Sequence, residues 1–313
     1  MNKKRILIEL PTWLGDCVMA TPAIENIVNY YKDVKITFIG SKISIHALKY
    51  HPKAQDIEIL EKNISDLKKI RKNIGPFDVF FSFRSSFRSQ LLKLFLHAKE
   101  KYQFSKNKYD FGHQVEKYNN FVNDSLSTEC KPGNLKIYRR PELQYQKSPR
   151  PVVGINPGAA YGSAKRWSPE GYSEIDKALA KEYDILIFGG PNELDIAMEI
   201  EDELKQSKIS NFQNLAGKTD INKLIDLVSN LSLFITGDSG PMHIAAAFQI
   251  PTIAIFGPTR DKETSQWMNA RHFIVKKNLD CQPCMKRTCP LGHHHCMSLI
   301  KPKDVLDAVR SLY

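Results

Sequence analysis

The chain has 313 residues, 42% hydrophobic and 25% charged, with a formal net charge of +11. That length exceeds what one hydrophobic core sustains and points to two domains, while the apolar content excludes a disordered chain and the lack of a bilayer-length apolar run excludes a helical membrane protein, so the sequence reads as soluble and globular. Residues 1–150 hold 27 Lys and Arg against 15 Asp and Glu, and residues 151–313 hold 18 against 19, so the basic half suits an anionic partner: nucleic acid, a membrane surface or a phosphorylated substrate.

The opening MNKKRILIEL is basic and then apolar. Its apolar run is short, Glu9 interrupts it and no small-residue cleavage site follows, so it reads as a first strand and the chain as cytoplasmic. Asp16 follows in the loop between that strand and a helix running from about Cys17 to Tyr31. Aspartate is a favoured N-cap, so capping competes with chemistry here, although Trp13 and Gly15 suit a loop shaped around a ligand. Further strands are expected at KITFIG, DIEIL, DVFFSF and KEKYQF, with a polar helix near residues 113–127. Arg84 and Arg88 fall just after the fourth of these strands, as cations that are either solvated or anion-binding.

The stretch 138–151, rich in proline and charge, is the expected linker, and we place the domains at 1–145 and 146–301. A closing helix, 302–313, has an apolar face of Val305, Leu306, Val309 and Leu312 that must pack on something. In the second half, strands are expected at PVVGINPG, YDILIFGG, LFITGD, PTIAIFG and, more weakly, FIVKK. The alternation of strands and helices in both halves predicts an α/β fold with two parallel sheets.

Ligands in such sheets gather where strands end, because the following loops and helix N-termini present N–H groups. GDSGPMHIAAAF, residues 237–248, has the composition of an anion site: Asp238 and Ser239 as caps, Gly240 for close approach and His243 one turn in. GINPGAAYGSAKRW offers small residues around Tyr161, Gly162 and Ser163, with Lys165 and Arg166 as charge for phosphate. In FGGPNELD, Glu193 is suited to ribose hydroxyls or to stabilising a helix start. FGPTR repeats the pattern of glycine, hydroxyl and cation. There is no Walker loop, and no GxGxxG follows any strand, which argues against a nicotinamide oxidoreductase.

Four of six cysteines, Cys281, Cys284, Cys289 and Cys296, lie in CQPCMKRTCPLGHHHC. Structural zinc is one reading and a substrate-facing loop with free thiols is another; disulfides do not suit a reducing cytoplasm. Neither reading is a catalytic metal site.

GDCVMATPAI, AKRWSPEGY, GDSGPMHIAAAF, FGPT and CPLGHHHC occur in that order, and together they make the chain resemble the ADP-heptose:lipopolysaccharide heptosyltransferases of glycosyltransferase family 9, most closely their heptosyltransferase II branch. The resemblance implies a GT-B architecture of two Rossmann-like domains facing across a cleft, acceptor on the first and nucleotide sugar on the second, with the last helix crossing back to the first. It implies inversion at the anomeric carbon, no cofactor for catalysis, ADP-heptose as donor and a lipid-linked lipopolysaccharide core as acceptor, met at the inner face of the cytoplasmic membrane. By residue it implies Asp16 as catalytic base, Lys165 on phosphate, Asp238 and His243 in the donor site with the N–H groups at Ser239 and Gly240, Glu193 on the adenosine ribose, and Tyr161 to Ser163 beside the diphosphate. Arg166 is added to the donor site on charge, and Trp13, Arg84 and Arg88 are placed on the acceptor side. The nearer alternative is a GT-B transferase or epimerase using another nucleotide sugar. A nucleic-acid-binding module is disfavoured, because it would interleave aromatic residues and cations on an exposed sheet face, whereas these strands read as buried on both sides.

Overall fold

Six residues, KRILIE, build the first strand of the computed structural model, which describes residues 3–60, 75–141 and 148–313. Ile6, Leu7 and Ile8 of β1 (Lys4–Glu9) have no exposed surface, as expected of a parallel-sheet strand covered on both faces. Around it stand β2 (Val34–Gly40), β3 (Ala54–Ile59), β4 (Phe77–Ser82) and β5 (Ala98–Gln103), all parallel, in the order β3-β2-β1-β4-β5. The edge strands β3 and β5 are more exposed and more polar than the three between them. Among the described residues the connecting helices are α1 (Leu14–Met19), α2 (Thr21–Tyr31), α3 (Lys42–Leu48), α4 (Phe87–Phe95) and α5 (Gln114–Leu126). The single helix expected from Cys17 to Tyr31 is therefore two, divided at Ala20, with Pro22 in the first turn of the second.

The second unit repeats the plan. Its strands are β6 (Val152–Asn156), β7 (Asp184–Ile187), β8 (Phe212–Asn214), β9 (Leu233–Gly237), β10 (Thr252–Ile255) and β11 (His272–Val275), in the order β11-β10-β9-β6-β7-β8. Its longer helices are α6 (Pro169–Leu179), α7 (Leu194–Gln206), α8 (Ile221–Val228), α9 (Gly240–Ala247) and α10 (Pro302–Arg310). This is the doubly wound order of dinucleotide-binding sheets, with chain direction across the sheet reversing between β6 and β9. The sequence reading missed β8, a three-residue edge strand.

Two compact units divide at Pro141 and Glu142. The expected boundary at 145/146 lies outside the described residues. The linker starts later than residue 138, since the Tyr138 hydroxyl donates to Glu25 at 3.2 Å and its ring packs on His51. The apolar face of the last helix packs within the second unit. Val305, Ala308 and Val309 of α10 are buried with Ile253, Ile255 and Val275 in the core of the second unit, with Leu306 and Leu312 packed against them. The reason is local: Met297 and Ile300 are already buried there, and the Trp167 indole donates to the Ile300 carbonyl at 3.0 Å, so α10 starts two residues from an anchored point.

One buried group in α6 costs stability. Asp176 and Tyr172 have no exposed surface, and among the described residues neither the Asp176 oxygens nor the Tyr172 hydroxyl has a hydrogen-bond partner. Burial raises the Asp176 carboxyl well above the usual carboxylate range. A folded-state pKa raised in this way favours the fold below the unfolded value of about 3.9 and loses that advantage as pH rises through the folded one. Asp176→Asn should therefore raise the melting temperature near pH 7 by the equivalent of at least about 1 kcal/mol, with the gain shrinking toward about pH 4, as thermal unfolding at the two pH values will show.

Candidate functional site

Open parallel sheets collect ligands beyond the strand ends where the chain order reverses, between β1 and β4 in the first unit and between β6 and β9 in the second. Sequence candidates lie at both places. In the first unit the N-cap of α1 is Trp13, 56% exposed, whose side chain makes no capping bond. Asp16 is the third residue of α1 and partly exposed, so it is not the N-cap that the sequence allowed. The positive end of the helix still favours its charge. Burial, and after it the Asp16 charge, raise the Tyr118 hydroxyl well above its usual range, so this α5 residue senses the carboxylate. Cys17, next in sequence, is an inert thiol, pushed up by complete burial.

Glu9 was read only as a break in an apolar run, and the structure gives it a role in holding the first site. It is 1% exposed at the end of β1. Ser82 Oγ donates to its Oε2 at 2.5 Å, Ser89 Oγ to Oε1 at 2.9 Å and Arg84 Nη1 to Oε1 at 3.4 Å. Burial raises this carboxyl, while Ser82, Arg84, Ser89 and Arg88 oppose the rise. One carboxylate thus ties the ends of β1 and β4 to the first turn of α4 and holds Arg84 at the reversal point, with its side chain only 20% exposed. The signal was available: a glutamate inside an apolar strand must find donors if it is buried.

In the second unit Lys165 Nζ sits 2.5 Å from Asp238 Oδ2, and their side chains are 12% and 7% exposed. The Thr259 hydroxyl donates to the same oxygen at 2.7 Å. Asp238 is therefore a holder of Lys165 and not a helix cap. Ser239 is the N-cap of α9 by position, yet its side chain caps nothing; its Oγ bonds Asn156 at 3.3 Å and Thr236 at 3.0 Å. The first turn of α9, with Gly240 and the buried His243, keeps its N–H groups without a side-chain cap. The carboxylate of Glu193 accepts from the Gly190 N–H at 2.7 Å, the helix-start role, and also lies against Gly158, where a Cβ would meet its carboxyl carbon at 2.1 Å. Arg166 is engaged by Asp195 at 3.3 Å and the Asn192 carbonyl at 3.1 Å, so it braces two strand-end loops.

The cysteine-rich loop packs on this cradle. The Ala164 N–H donates to the Arg287 carbonyl at 3.0 Å, the Tyr161 hydroxyl to the Met285 carbonyl at 2.8 Å, and His294 Nε2 lies 2.8 Å from the Ala164 carbonyl oxygen. Gly162, adjacent to Ser163, has φ +157, and a Cβ there would lie 2.4 Å from the Arg287 carbonyl oxygen, so only glycine allows the approach. Both Lys165 Nζ, at 4.8 Å, and Arg287 Cζ, at 5.2 Å, lie over the Tyr161 ring. All six cysteines are free thiols, and Cys281, Cys284, Cys289 and Cys296 line one small cavity with His293 and His294. Among the described residues no three His, Cys, Asp or Glu side chains are arranged to hold a metal ion. Burial pushes the Cys296 thiol up to about 11, whereas the His294 N–H, followed by those of Leu291, Gly292 and His293, pulls Cys289 down.

Two doubly wound units are the fold of the GT-B class, and the second puts a lysine, a glycine-rich loop and an uncapped helix start at its reversal point. The profile of Glycosyltransferase family 9 (heptosyltransferase) matches residues 68–295. The chain is 40% identical over 315 residues to lipooligosaccharide heptosyltransferase 2 of Campylobacter jejuni, with 98% of both chains covered. It is 27% identical over 346 residues to lipooligosaccharide heptosyltransferase 2 of Haemophilus ducreyi, covering 98% and 99%. It superposes on the solved ADP-heptose lipopolysaccharide heptosyltransferase II of Escherichia coli with a TM-score of 0.81 at 23% identity, covering 98% of each chain. The chain belongs to glycosyltransferase family 9.

Proposed function

We propose that this chain transfers a heptose from ADP-heptose to a heptose of the lipopolysaccharide inner core, with inversion at the anomeric carbon. The reading rests above all on the 40% identity, across 98% of both chains, to a lipooligosaccharide heptosyltransferase 2. The Lys165–Asp238–Thr259 cluster at the reversal point of the second sheet supports it, as a place for a diphosphate.

In the proposed reaction the acceptor hydroxyl oxygen forms the new bond to the anomeric carbon, while the bond from that carbon to the diphosphate oxygen breaks and its electron pair leaves with ADP. The hydroxyl proton passes to Asp16. A carboxylate is far too weak a base to ionise a sugar alcohol beforehand, so proton transfer accompanies attack. Charge growing on the departing diphosphate is met by Lys165 and by the N–H groups at Ser239 and Gly240, donors that speed the reaction because they strengthen with that charge. Glu193 takes the adenosine ribose, with Tyr161, Gly162, Ser163 and His243 around the diphosphate. Trp13, Arg84 and Arg88 take the anionic acceptor. The lipid-linked acceptor places the enzyme at the inner face of the cytoplasmic membrane, and no cofactor is needed for the chemistry.

The test is ADP release from purified protein given a heptose-deficient core acceptor and either ADP-heptose or competing nucleotide sugars, with and without EDTA. Transfer from ADP-heptose, unchanged by EDTA, is expected. Transfer from UDP-glucose and not from ADP-heptose would overturn the donor assignment, and loss of transfer in EDTA would overturn the metal-free mechanism.

A further inference from the structure

Cations around the strand ends of the second unit mostly have a carboxylate already: Arg166 has Asp195, Arg260 has Glu263 and Lys276 has Asp261. Arg287, in the cysteine-rich loop, has none. It is exposed, and among the described residues its guanidinium makes no ion pair and no hydrogen bond. It lies instead over the Tyr161 ring, 5.2 Å from the centroid, where Lys165 Nζ also lies at 4.8 Å. Asp238 offsets the lysine, so the charge left unmatched beside this ring is that of Arg287.

The backbone carrying Arg287 is fastened from two sides. The Met285 N–H donates to the Pro258 carbonyl at 2.9 Å, and the Arg287 carbonyl accepts from the Ala164 N–H at 3.0 Å. Gln282 Nε2 adds a donation to the Gly257 carbonyl at 2.7 Å. The loop is thereby tied to the chain following β6 and to the chain following β10. An exposed arginine on an untethered loop is ordinary surface. One set on a fixed backbone, near a lysine and without a carboxylate of its own, is arranged for an anion that both cations reach.

We propose that Arg287 is a second phosphate-binding residue of the donor site, delivered there by the cysteine-rich loop. The proposal rests on the reading of Lys165 as the diphosphate lysine given above, and it divides the diphosphate between two cations of different chemistry. The ammonium acts as a point charge, and the planar guanidinium offers paired N–H donors to phosphate oxygens. Because the diphosphate gains charge as the sugar leaves, a guanidinium on it also favours transfer.

Titration of the full chain with ADP, UDP and adenosine tests this. Arg287→Met is expected to weaken ADP binding at least about tenfold, as a charge-assisted hydrogen bond is lost, and to leave adenosine binding unchanged. Arg287→Lys should recover part of the loss, since it restores the charge without the fork. Lys286→Met removes the exposed cation next in sequence and should bind ADP as wild type does. Unfolding midpoints of the three variants should match wild type. ADP affinity unchanged by Arg287→Met, or lowered equally by Lys286→Met, overturns the assignment and leaves the donor reading intact. Equal losses for ADP and adenosine in Arg287→Met also overturn it, by making Arg287 a support for Tyr161 and its loop. UDP bound as tightly as ADP, with Arg287→Met weakening both, instead supports the phosphate role and removes the adenosine-specific donor assignment. Wild type that binds neither nucleotide removes both readings.

Discussion

Asp16→Asn is expected to cut turnover by at least about a hundredfold while leaving ADP affinity and the unfolding midpoint close to wild type. The substitution preserves size and removes the group that accepts a proton. Structural loss should be small, because the N-cap of α1 is Trp13 and Asp16 stands three positions further in. Its favourable interaction with the helix end is worth about 0.3–1 kcal/mol. Steady-state rates, ADP titration and thermal unfolding on one preparation separate the cases. Turnover that survives the change would reduce Asp16 to a helix-end charge, and turnover lost together with the fold would make it structural.

Lys165→Met should weaken ADP binding at least about tenfold and slow transfer further, since a charge-assisted hydrogen bond to the leaving diphosphate is lost. It should also destabilise the protein. Asp238 is 7% exposed, and without the ammonium its carboxylate keeps the Thr259 hydroxyl as a donor but loses its countercharge. Breaking a buried pair from one side costs about 3–5 kcal/mol. The double variant Lys165→Met/Asp238→Asn distinguishes the two effects, because it removes the stranded charge without restoring the cation. Recovery of the melting temperature with ADP binding still impaired is the expected result. If ADP binding recovers along with stability, Lys165 acts on the fold and not on phosphate.

Much of the architecture was legible because burial leaves a record in composition. ILI in β1 and VFF in β4 are apolar on consecutive positions, as strands covered on both faces require. β8 left no such record: Gln213 is exposed and three residues cannot show a period. The donor loops were legible as well, since small residues, Lys165 and the GDSGPMH turn follow strands directly and local spacing carries the chemistry.

Partnerships were not legible. Glu9 meets Ser82 and Ser89 across 73 and 80 positions, and Lys165 meets Asp238 across 73, distances in sequence that only the sheet order closes. Asp238 had equal credentials as a cap, and the pairing with Lys165 decided against that role. The apolar face of α10 was visible in the spacing of Val305, Leu306, Val309 and Leu312, but the surface receiving it was not, because hydrophobic burial is non-directional and any covered surface satisfies it. The cysteine segment shows the same division: its sequence marked Cys281 to Cys296 as a cluster, and tertiary packing set its backbone against the loop from Tyr161 to Lys165. By itself the sequence determined which strands are covered on both faces, which loops follow strands and where the charge lies, since these depend on neighbours along the chain. Which carboxylate holds which cation was decided only when strands far apart in sequence became neighbours, because hydrogen bonds and ion pairs act over a few ångströms of space.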